Sequence, residues 1–570
     1  MADMMSECMD SESTSAFSPA DPSIDSLFFS KHNLSVETYQ IFKNDVDVLL
    51  SGKAALAEQP MFIQKIIRTC HEMLATYEDE KAYLMSDVLC TWAMRQQKVS
   101  IGTLWTQQLH YNQLETIHQE FEYFGEVLQH TISGLEYLIQ FFPAQGFEDM
   151  HAKFKQMAHY FLYYSIIVAR QPPSVIVKCG EAENHRRSRF WFNTEIRVLG
   201  GRAFGLETTG SGIEVQCYLI TDETAKQLLN NAYFEIFESE EFSIEPPTAN
   251  FHVKEHRGLK AKFDDMRISK KVQLRRESVA TKRYCLCYNI RLKTSCGIDL
   301  VGKKVSLPFA VLVGPKSDVE AKLFLERSFA DLVRQPLSEI PGHVSALEMA
   351  DQLEMKFQAI VETPQKSTDG PAIIQPRMFT SQAKEHIIKR LKPSPQGYIA
   401  IDNFMKLPVA EEFQQKKTNT TEGDWKLVPF FDWFFKLAET VNKYLYHMWF
   451  DGLIYGFCGK EEAEQLLRSV PRSVLLVRFS DIEQGKVKIS VKNSLGEMRH
   501  HWYEHSDLNA RPLSKELLSN PKFSDIELIY PDIDLEVALG GRQKPRRNLP
   551  KHLQPNDIYF DNQGAATSAF

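Results

Sequence analysis

The sequence has no apolar run close to the roughly 20 residues that a membrane-spanning helix needs. Its first 25 residues have neither a basic start nor an apolar core, so they do not resemble a signal peptide and are expected to be disordered. Nine cysteines are scattered over 570 residues without the paired spacing of a zinc site. We therefore expect an intracellular globular chain without membrane insertion, whose cysteines are reduced thiols.

Catalytic motifs are also lacking. No glycine-rich phosphate loop, kinase catalytic loop, nucleophile elbow or zinc-protease helix occurs in the sequence. His500, His501 and His505 lie close together, but they fall in a predicted strand and loop with no evident fourth ligand, so surface positions are the favoured interpretation. We expect no enzyme, no cofactor and no metal site.

Charge is spread unevenly along the chain. The formal net charge of -8 by itself disfavours nucleic acid as a partner. Residues 254–293 nevertheless contain thirteen basic residues against four acidic ones. This segment could dock a phosphate backbone, or it could be a solvated face, which is the ordinary interpretation of a charge run.

Hydrophobic periodicity predicts a helical bundle over residues 34–168, where apolar residues recur every three or four positions. The longest stripe consists of Leu114, Ile117, Phe121, Phe124, Leu128, Ile132, Leu135 and Leu138. We interpret this stripe as the core of the bundle, and a partner-binding coiled-coil face is the alternative.

The proline pair in Gln171-Pro172-Pro173-Ser174 is predicted to end the helical region, because proline lacks a backbone donor. Period-two segments follow, which predicts strands of a β-sandwich at residues 189–198, 213–220, 283–292 and 305–313. Helical periodicity returns after Phe329. The residues predicted on one face there are Leu347, Ala350, Leu353, Phe357 and Ile360.

The most specific signal is an arginine inside an apolar strand. Residues 474–481 read Val-Leu-Leu-Val-Arg-Phe-Ser-Asp, so Arg478 is predicted to be buried and is followed by a hydroxyl and a carboxylate. An unpaired buried charge costs several kcal/mol, so we expect a planar anion to meet the guanidinium, and phosphate fits best. The alternative is an arginine near a strand end that extends into solvent.

The flanking elements favour phosphate. An amphipathic helix is predicted at residues 461–468 and a second strand at 487–492. Helix, arginine-bearing strand and strand is the order of an SH2 domain, whose phosphotyrosine pocket combines such an arginine with a helix lysine and turn hydroxyls. The predicted phosphotyrosine-binding residues are Lys460, Arg478, Ser480 and Asp481.

Residues 430–540 resemble the SH2 subtype of the STAT family, the signal transducers and activators of transcription. The motifs that carry the resemblance are the aromatic helix from Phe430 to Trp449, the Gly-Phe-x-x-Lys step at 456–460, Arg478-Phe479-Ser480, and Ile-Tyr-Pro-Asp-Ile-Asp at 529–534. The Gln-Pro-Pro step at 171–173 is also STAT-like. The resemblance implies a shortened, diverged member that lacks the family's separate N-terminal domain and C-terminal transactivation tail.

The family's fold is multidomain α+β. The domains that the resemblance implies are a disordered N-terminal tail (1–30), a coiled-coil helical bundle (31–170), an immunoglobulin-like DNA-binding domain (171–335), a helical linker domain (336–450), the SH2 domain (451–541) and a flexible tail (542–570).

Tyr559 is the predicted phosphorylation site, because it follows the SH2-like region and has acidic neighbours. The family's mechanism implies that each phosphorylated tail enters the Arg478 pocket of a second copy, and that the homodimer moves from cytoplasm to nucleus and binds palindromic double-stranded DNA. The other implied partners are a tyrosine kinase and a phosphotyrosine-bearing receptor or scaffold. The implied setting is transcription regulation in cytokine-like, developmental or innate immune signalling.

The predicted DNA-binding residues are Lys270, Lys271, Thr281, Lys282, Arg283 and Gly314. Two motifs depart from the family here. The base-reading asparagine of the family's Ile-Ser-Asn loop corresponds to Gly314, which cannot donate a side-chain hydrogen bond to a base. The family's Thr-Glu-Glu corresponds to residues 281–283, which should strengthen phosphate attraction and weaken discrimination. A phosphotyrosine-dependent SH2 adaptor without specific DNA binding is therefore the alternative function.

Overall fold

The computed structural model describes residues 22–52, 55–177, 191–230, 236–253, 258–271, 282–312, 316–334, 339–362, 374–415 and 423–540. The chain divides into two units. The first consists of Met1–Ser100, Gln108–Pro315 and Asp331–Ser338, and the second of Ile101–Gln107, Lys316–Ala330 and Glu339–Phe570. Both units combine helices and sheets, which confirms the multidomain α+β class, while the assignment of named domains stays a prediction.

Helices form the N-terminal part of the chain. They are α1 (Pro22–Leu50), α2 (Gln59–Ala82), α3 (Cys90–Val99), α4 (Leu104–Asn112), α5 (Leu114–Phe141) and α6 (Phe147–Tyr164), with a π-helical segment at Tyr83–Leu89. Helix α1 begins at Pro22, so the predicted disordered tail is wrong for residues 22–30. Proline suits a first helical turn because its φ angle is already helical and its missing donor is not needed there. No helix in the described ranges is both long and apolar enough to traverse a bilayer.

The stripe predicted on α5 is confirmed as core. All of its members are buried. The rings of Phe121 and Phe124 lie 5.4 and 4.9 Å from that of Phe161 on α6, and the Tyr77 ring on α2 lies 5.9 Å from Phe124. Each fully buried side chain of this size contributes about 1.5–3 kcal/mol relative to exposure, so the stripe holds the helices together and is not free to bind a partner.

The helical region ends earlier than predicted. Helix α6 stops at Tyr164 and strand β1 (Ile166–Arg170) begins before the proline pair, so the expectation that the prolines end the helix is wrong. Three consecutive β-branched residues, Ile166, Ile167 and Val168, restrict the side-chain rotamers of a helix and suit a pleated strand.

An eight-stranded sheet dominates the rest of the first unit. The strands of the region are β1, β2 (Val175–Val177), β3 (Phe192–Val198), β4 (Glu214–Thr221), β5 (Phe242–Glu245), β6 (Thr248–Val253), β7 (Leu259–Lys270), β8 (Tyr284–Lys293), β9 (Asp299–Val305) and β10 (Ala310–Leu312). The sheet order is β1-β3-β7-β6-β4-β8-β9, with β5 also paired to β7, and β10 pairs separately with β2. Short helices α7 (Leu206–Thr209) and α8 (Asp222–Asn230) lie between strands.

The strand predictions are confirmed in three of their four positions, at β3, β4 and β8. The fourth, residues 305–313, is wrong because β9 ends at Val305 and β10 starts at Ala310. Pro308 lies between them and has no N–H for a sheet ladder. The period-two analysis also missed β7, which carries much of the basic segment. Its signal was the alternation of charged residues with buried Leu259, Ala261 and Phe263.

A layer of buried charged groups lies between the helices and the sheet of this unit. The guanidinium of Arg197, fully buried on β3, donates two bonds of 3.1 and 3.2 Å to the Glu115 carboxylate on α5. Tyr111 donates to Glu195 and accepts from Lys260 at 3.1 Å. Removing one partner from a buried pair costs about 3–5 kcal/mol, so these pairs fix the register of helix on sheet.

His118 and Glu122 on α5 share a second buried site. The His118 Nε2 atom lies 3.6 Å from Glu122 Oε1, and the carboxylate accepts from the backbone N–H of Arg202 at 3.1 Å. Burial lowers the pKa of His118 to about 4 and raises the pKa of Glu122 to about 7. Burial therefore opposes the charged form of both side chains.

The Glu122 carboxyl should make the unit less stable as pH rises. The pKa of Glu122 is about 7 in the folded protein, against about 4.3 in the unfolded chain. Its contribution to stability is therefore fully present below pH of about 4.3 and is lost as the pH rises through about 7. Glu122→Gln keeps an acceptor oxygen without the charge. We expect its thermal midpoint to rise relative to the parent between pH 5 and pH 8, by the equivalent of about 1–3 kcal/mol at pH 8.

Thermal unfolding monitored across this pH range measures the difference. Glu37→Gln, at an exposed position on α1, is the matched control and should show no such trend. A Glu122→Gln difference that stays constant with pH would contradict the assignment.

The second unit contains the remaining helices. They are α9 (Ser317–Phe329), α10 (Ala346–Val361), α11 (Ser381–Arg390), α12 (Ile401–Lys406), α13 (Phe430–Thr440), α14 (Tyr446–Phe450), α15 (Lys460–Arg468), α16 (His505–Ala510), α17 (Leu513–Ser519) and α18 (Leu535–Leu539). A π-helical segment, Val441–Leu445, joins α13 to α14, and a 3-10 turn occupies Pro521–Phe523.

Two two-stranded antiparallel sheets and one larger sheet complete this unit. Strand β11 (His343–Ser345) pairs with β12 (Tyr398–Ala400), and β13 (Pro408–Gln415) pairs with β14 (Gly423–Pro429). The larger sheet contains β15 (Val474–Phe479), β16 (Val487–Lys492), β17 (Met498–Tyr503), β18 (Leu528–Ile529) and β19 (Ile533–Asp534). Its order is β17-β16-β15-β18-β19, so β15 is the central strand.

An aromatic cluster packs α10 and α13 against this sheet. Phe357 on α10 is its centre and is fully buried. Rings with centroids within 6.2 Å of the Phe357 ring belong to Phe379, Phe434, Trp449, Phe457 and Phe479. Because Phe479 follows Arg478 directly on β15, this cluster holds in place the strand that carries the arginine.

The face predicted on α10 is confirmed except at its first position. Ala350, Leu353, Phe357 and Ile360 are buried, but Leu347 is 72% exposed. Leu347 is the second residue of the helix. The apolar spacing alone could not show where the helix begins.

This contrast supplies a matched pair of leucines on one helix. Leu353→Ala removes a fully buried side chain and should lower the free energy of unfolding of the second unit by about 2–5 kcal/mol. Leu347→Ala should change it by less than about 0.5 kcal/mol. Urea unfolding followed by tryptophan fluorescence measures both, and equal losses would contradict the placement of this helix.

Candidate functional site

The candidate site is built around Arg478 on β15. All residues of this strand are buried, and Arg478 itself is 6% exposed. The backbone at Gly456 bridges to this position, because the N–H of Phe479 donates to the Gly456 carbonyl at 2.8 Å. Gly456 has φ of 97°, and a Cβ there would lie 3.3 Å from the Trp449 ring. The glycine of the Gly-Phe-x-x-Lys step therefore permits the close approach that brings α15 next to the arginine.

The Arg478 guanidinium contacts only neutral oxygens. Nε donates to the Ser490 hydroxyl at 3.2 Å, and one terminal nitrogen reaches the carbonyls of Cys458 and Phe479 at 3.4 and 3.5 Å. Within the described residues, no carboxylate forms an ion pair with it. A guanidinium offers five N–H donors, and the remaining ones suit a planar anion. This cation is thus buried with donor capacity to spare.

A hydrogen-bonded network extends from Arg478 to helix α15. The Ser490 hydroxyl bonds His500 Nδ1 at 3.0 Å, and His500 Nε2 bonds Glu464 Oε1 at 3.1 Å. Lys460, the first residue of α15, lies with its ammonium 3.9 Å from the same carboxylate oxygen. The structure therefore brings two of the predicted site residues, Lys460 and Arg478, into one network. Sequence reasoning assigned no role to Ser490 or Glu464, whose contacts depend on strand register.

The order serine, histidine, glutamate resembles the relay of acyl-transfer enzymes, but the geometry excludes a nucleophile here. Ser490 is fully buried, and its oxygen already accepts a bond from Arg478. A serine nucleophile must reach a substrate carbonyl and give its proton to the histidine. The network instead orients His500 and Arg478 relative to one another.

Ser480 lies in a different environment from the one predicted for it. It is fully buried, and its hydroxyl accepts from the backbone N–H of Glu483 at 3.1 Å. Its carbonyl accepts from the indole N–H of Trp433 at 2.9 Å, and its own N–H donates to the Lys486 carbonyl at 3.0 Å. Ser480 therefore closes the 480–486 loop that follows Arg478.

Asp481 faces helix α11. Its Oδ1 atom lies 2.9 Å from His386 Nε2 and 3.5 Å from a terminal nitrogen of Arg390. Arg390 also donates to the Asp481 carbonyl and stacks 4.5 Å over the Trp433 ring. Two of the predicted phosphotyrosine-binding residues, Ser480 and Asp481, thus anchor the loop beside the pocket.

The hairpin of β13 and β14 provides a further anchor. The N–H of Glu411 donates to the Ile482 carbonyl at 2.9 Å, and the N–H of Gln484 donates to the Glu411 carbonyl at 3.0 Å. The 480–486 loop is therefore held by backbone pairing on one side and by the Asp481 contacts on the other.

Removing the Asp481 charge should loosen this loop. Asp481→Ala leaves His386 and Arg390 without their carboxylate, and losing charged hydrogen bonds of this kind costs about 1.5–3 kcal/mol. We expect the amides of Glu483 and Gln484 to exchange with solvent roughly tenfold faster or more, as local opening becomes easier. Hydrogen exchange measured by mass spectrometry tests this, with exposed Asp532→Ala as control. Unchanged protection would show that Asp481 does not anchor the loop.

Several of the other predicted residues lie outside the described residues. These are Thr281, Gly314 and Tyr559. Lys270 is the last residue of β7, and its side chain is also outside them.

The remaining basic residues of the predicted DNA-binding set contact their own chain. The Lys271 ammonium lies 3.3 Å from the Glu238 carboxylate and 3.1 Å from the Ser239 carbonyl. Lys282 forms an ion pair with Glu241. One terminal nitrogen of Arg283 reaches the Lys282 carbonyl at 3.5 Å.

Carboxylates elsewhere in the sequence thus offset the basic segment. Arg267 pairs with Glu245 at 2.5 Å, in addition to the two lysine pairs. The count of thirteen basic residues therefore overstates the free positive charge of this surface. The signal that could have shown this is the acidic run at 238–241, which sequence reasoning did not weigh.

The three histidines considered for a metal have separate surroundings. His500 belongs to the network with Ser490, while the His501 ring lies 5.3 Å from Phe523 and the His505 ring 5.0 Å from Tyr444. In the described ranges, no group of three His, Cys, Asp or Glu side chains is arranged to hold a metal ion.

Comparisons with known proteins identify relatives over the whole chain. The family model described as "Signal transducer and activator of transcription b N-terminal" matches residues 26–163. The chain is 71% identical over 567 residues to "Signal transducer and activator of transcription b" of Caenorhabditis elegans, covering all of both chains. It is 23% identical over 406 residues to "Signal transducer and activator of transcription 1" of Caenorhabditis briggsae, covering 66% of this chain and 52% of that protein.

Proposed function

The chain belongs to the STAT family of signal transducers and activators of transcription, and from that premise we propose that it is a transcription regulator switched on by tyrosine phosphorylation. The observation that carries the proposal is the buried Arg478 guanidinium, which contacts neutral oxygens and has donors left for an anion. A phosphotyrosine dianion supplies three acceptor oxygens to such a pocket.

The elements around Arg478 support an SH2 domain at residues 451–541. Helix α15 packs against β15 and β16, and the arginine lies on the central strand of an antiparallel core. Lys460 lies at the start of α15, within the Arg478 network. A cationic helix residue and a buried strand arginine together form a cradle for one phosphate.

Tyr559 is the residue that we propose to be phosphorylated. It follows the segment Arg-Gln-Lys-Pro-Arg-Arg-Asn-Leu-Pro at 542–550, whose polar and proline-rich composition suits a flexible lead. In a pair of molecules, each phosphorylated tail enters the partner's Arg478 pocket. The second contact is then effectively intramolecular, so two modest affinities give one stable homodimer.

We also propose that the preceding domains follow the order of the STAT family. The coiled-coil bundle is residues 31–170, the immunoglobulin-like DNA-binding domain 171–335 and the helical linker domain 336–450. The two-fold symmetry of the dimer predicts a palindromic DNA site. Activation then moves the protein from cytoplasm to nucleus, downstream of a tyrosine kinase and a phosphotyrosine-bearing receptor or scaffold. Neither relative carries the name of an enzyme, which supports a regulatory function.

A second function is favoured by the surface charges. Lys271 and Lys282 are paired with carboxylates, and Gly314 offers no side-chain donor for a base edge. Phosphate contacts by these lysines would require the ion pairs to break. These observations favour a phosphotyrosine-dependent adaptor that recruits partners without reading DNA sequence.

The dimer tests the phosphotyrosine pocket directly. With Tyr559 fully phosphorylated, we expect the parent protein to sediment as a dimer and Arg478→Ala as a monomer, because the variant loses the bidentate donor. Arg472→Ala, at an exposed arginine that pairs with Glu527, is the matched control and should still dimerise. Dimerisation of phosphorylated Arg478→Ala would refute the assignment.

The same preparations decide between the two functions. They are titrated at one stated salt concentration against a palindromic TTC-spacer-GAA duplex and a scrambled duplex. Tight binding to the palindrome by the phosphorylated protein alone would support the transcription factor. Weak binding that is equal for both duplexes would favour the adaptor.

A further inference from the structure

Glu464 places a negative charge inside the network proposed to receive phosphotyrosine. Its Oε1 atom lies 3.1 Å from His500 Nε2 and 3.9 Å from the Lys460 ammonium, and its Oε2 atom lies 2.9 Å from a terminal nitrogen of Arg468. The carboxylate therefore contacts a set of donors that a phosphate group would also use.

The charged groups around Glu464 come from three elements. Lys460 and Arg468 share its helix, His500 comes from β17, and Arg478 on β15 connects through Ser490 and His500. Glu464 is the acidic member of this network. Lys460, Arg468 and Arg478 are basic, and His500 is a neutral side chain that can be protonated.

We propose that Glu464 is a built-in counter-ion of the phosphotyrosine pocket: it holds Lys460 and His500 while the pocket is empty, and releases them when an aryl phosphate binds. The inference rests on the proposed function of Arg478 as the phosphate-binding residue. Its consequence is that the resting pocket is partly charge-compensated, so binding is weaker than the donors alone would allow.

Protonation does not relieve this competition near neutral pH. The hydrogen bond from His500 holds the pKa of Glu464 below its ordinary range. A phosphate monoester becomes a dianion above pH of about 6, where Glu464 is therefore still ionised. The carboxylate must instead rotate away from the donors, and 21% of its side chain is exposed.

A purely structural role for Glu464 predicts a different result. The ion-pair partners of Glu464 on its own helix, Lys460 and Arg468, are exposed, and ion pairs with exposed side chains four residues apart contribute little to stability. Glu464→Gln should therefore leave the thermal midpoint nearly unchanged. An effect on ligand affinity without an effect on stability separates a counter-ion from a helix-stabilising residue.

The experiment measures binding of a fluorescent peptide with the sequence of residues 553–565, phosphorylated at Tyr559, to the full chain. We expect Glu464→Gln to bind about three- to tenfold tighter than the parent, because a like charge is removed beside a dianion, and the gain to shrink as salt is raised. Glu461→Gln makes the same charge change at an exposed position on α15 and should stay within about twofold of the parent. Glu464→Asp, which keeps the charge, should not show the gain.

A second readout follows His500 itself by NMR. Loss of the Glu464 hydrogen bond should lower the pKa of His500 further in Glu464→Gln than in Glu461→Gln, because that bond now raises it. An unchanged His500 titration would overturn the contact.

The outcomes distinguish this inference from the proposed function. If the parent prefers the phosphorylated peptide and Arg478→Ala loses that preference, the pocket stands. Equal or weaker binding by Glu464→Gln, or an equal gain in Glu461→Gln, would then overturn the counter-ion alone. If the parent does not distinguish phosphorylated from unphosphorylated peptide, the proposed function fails and the counter-ion with it.

Discussion

The second unit depends on one constraint, which is the burial of a guanidinium on the central strand of its sheet. Water cannot solvate Arg478 fully there, and the structure meets the charge with carbonyl and hydroxyl oxygens instead of a carboxylate. Those oxygens come from three separate places in the chain, the Gly-Phe-x-x-Lys step, β15 itself and β16. The glycine at 456, the aromatic cluster on Phe357 and the register of β15 with β16 all serve to bring these oxygens within reach. A cation that is solvated but not neutralised keeps its affinity for an external anion.

In the first unit, by contrast, buried cations are paired with carboxylates. Arg197 is paired with Glu115, and Lys260 contacts the Tyr111 hydroxyl and lies 3.9 Å from Glu195, so both buried cations have a carboxylate nearby. The same holds at its surface, where Glu238 and Glu241 compensate Lys271 and Lys282. The net charge of a stretch of sequence is therefore a poor measure of the electrostatic field at its surface, because carboxylates distant in sequence can lie close to it in the fold. Within one chain, Arg197 is thus paired with a carboxylate, whereas Arg478 is met by neutral oxygens.

The sequence predicted most of what depends on local pattern. The core stripe of α5, the helix α15 and the strands β15 and β16 follow from periodicity, and the burial of Arg478 follows from its apolar neighbours. What could not be predicted depends on contacts between distant segments. The Ser480 carbonyl bonds to the Trp433 indole, and Asp481 contacts His386 and Arg390. His500 bonds to Glu464. The predicted element boundaries were wrong where local residues outweighed the pattern. The β-branched residues from Ile166 end the helix before the prolines do, and Pro308 interrupts the strand predicted at 305–313.

The hairpin of β13 and β14 has a consequence for the independence of the pocket. Its Glu411 backbone is paired with the loop that follows Arg478, and α11 grips the same loop through Asp481. These supports, α11 and the β13–β14 hairpin, precede β15 in the chain. A fragment that begins at β15 would lack the contacts of the 480–486 loop with Glu411, His386 and Arg390. The surroundings of Arg478 therefore depend on contacts with residues that precede its sheet in the chain.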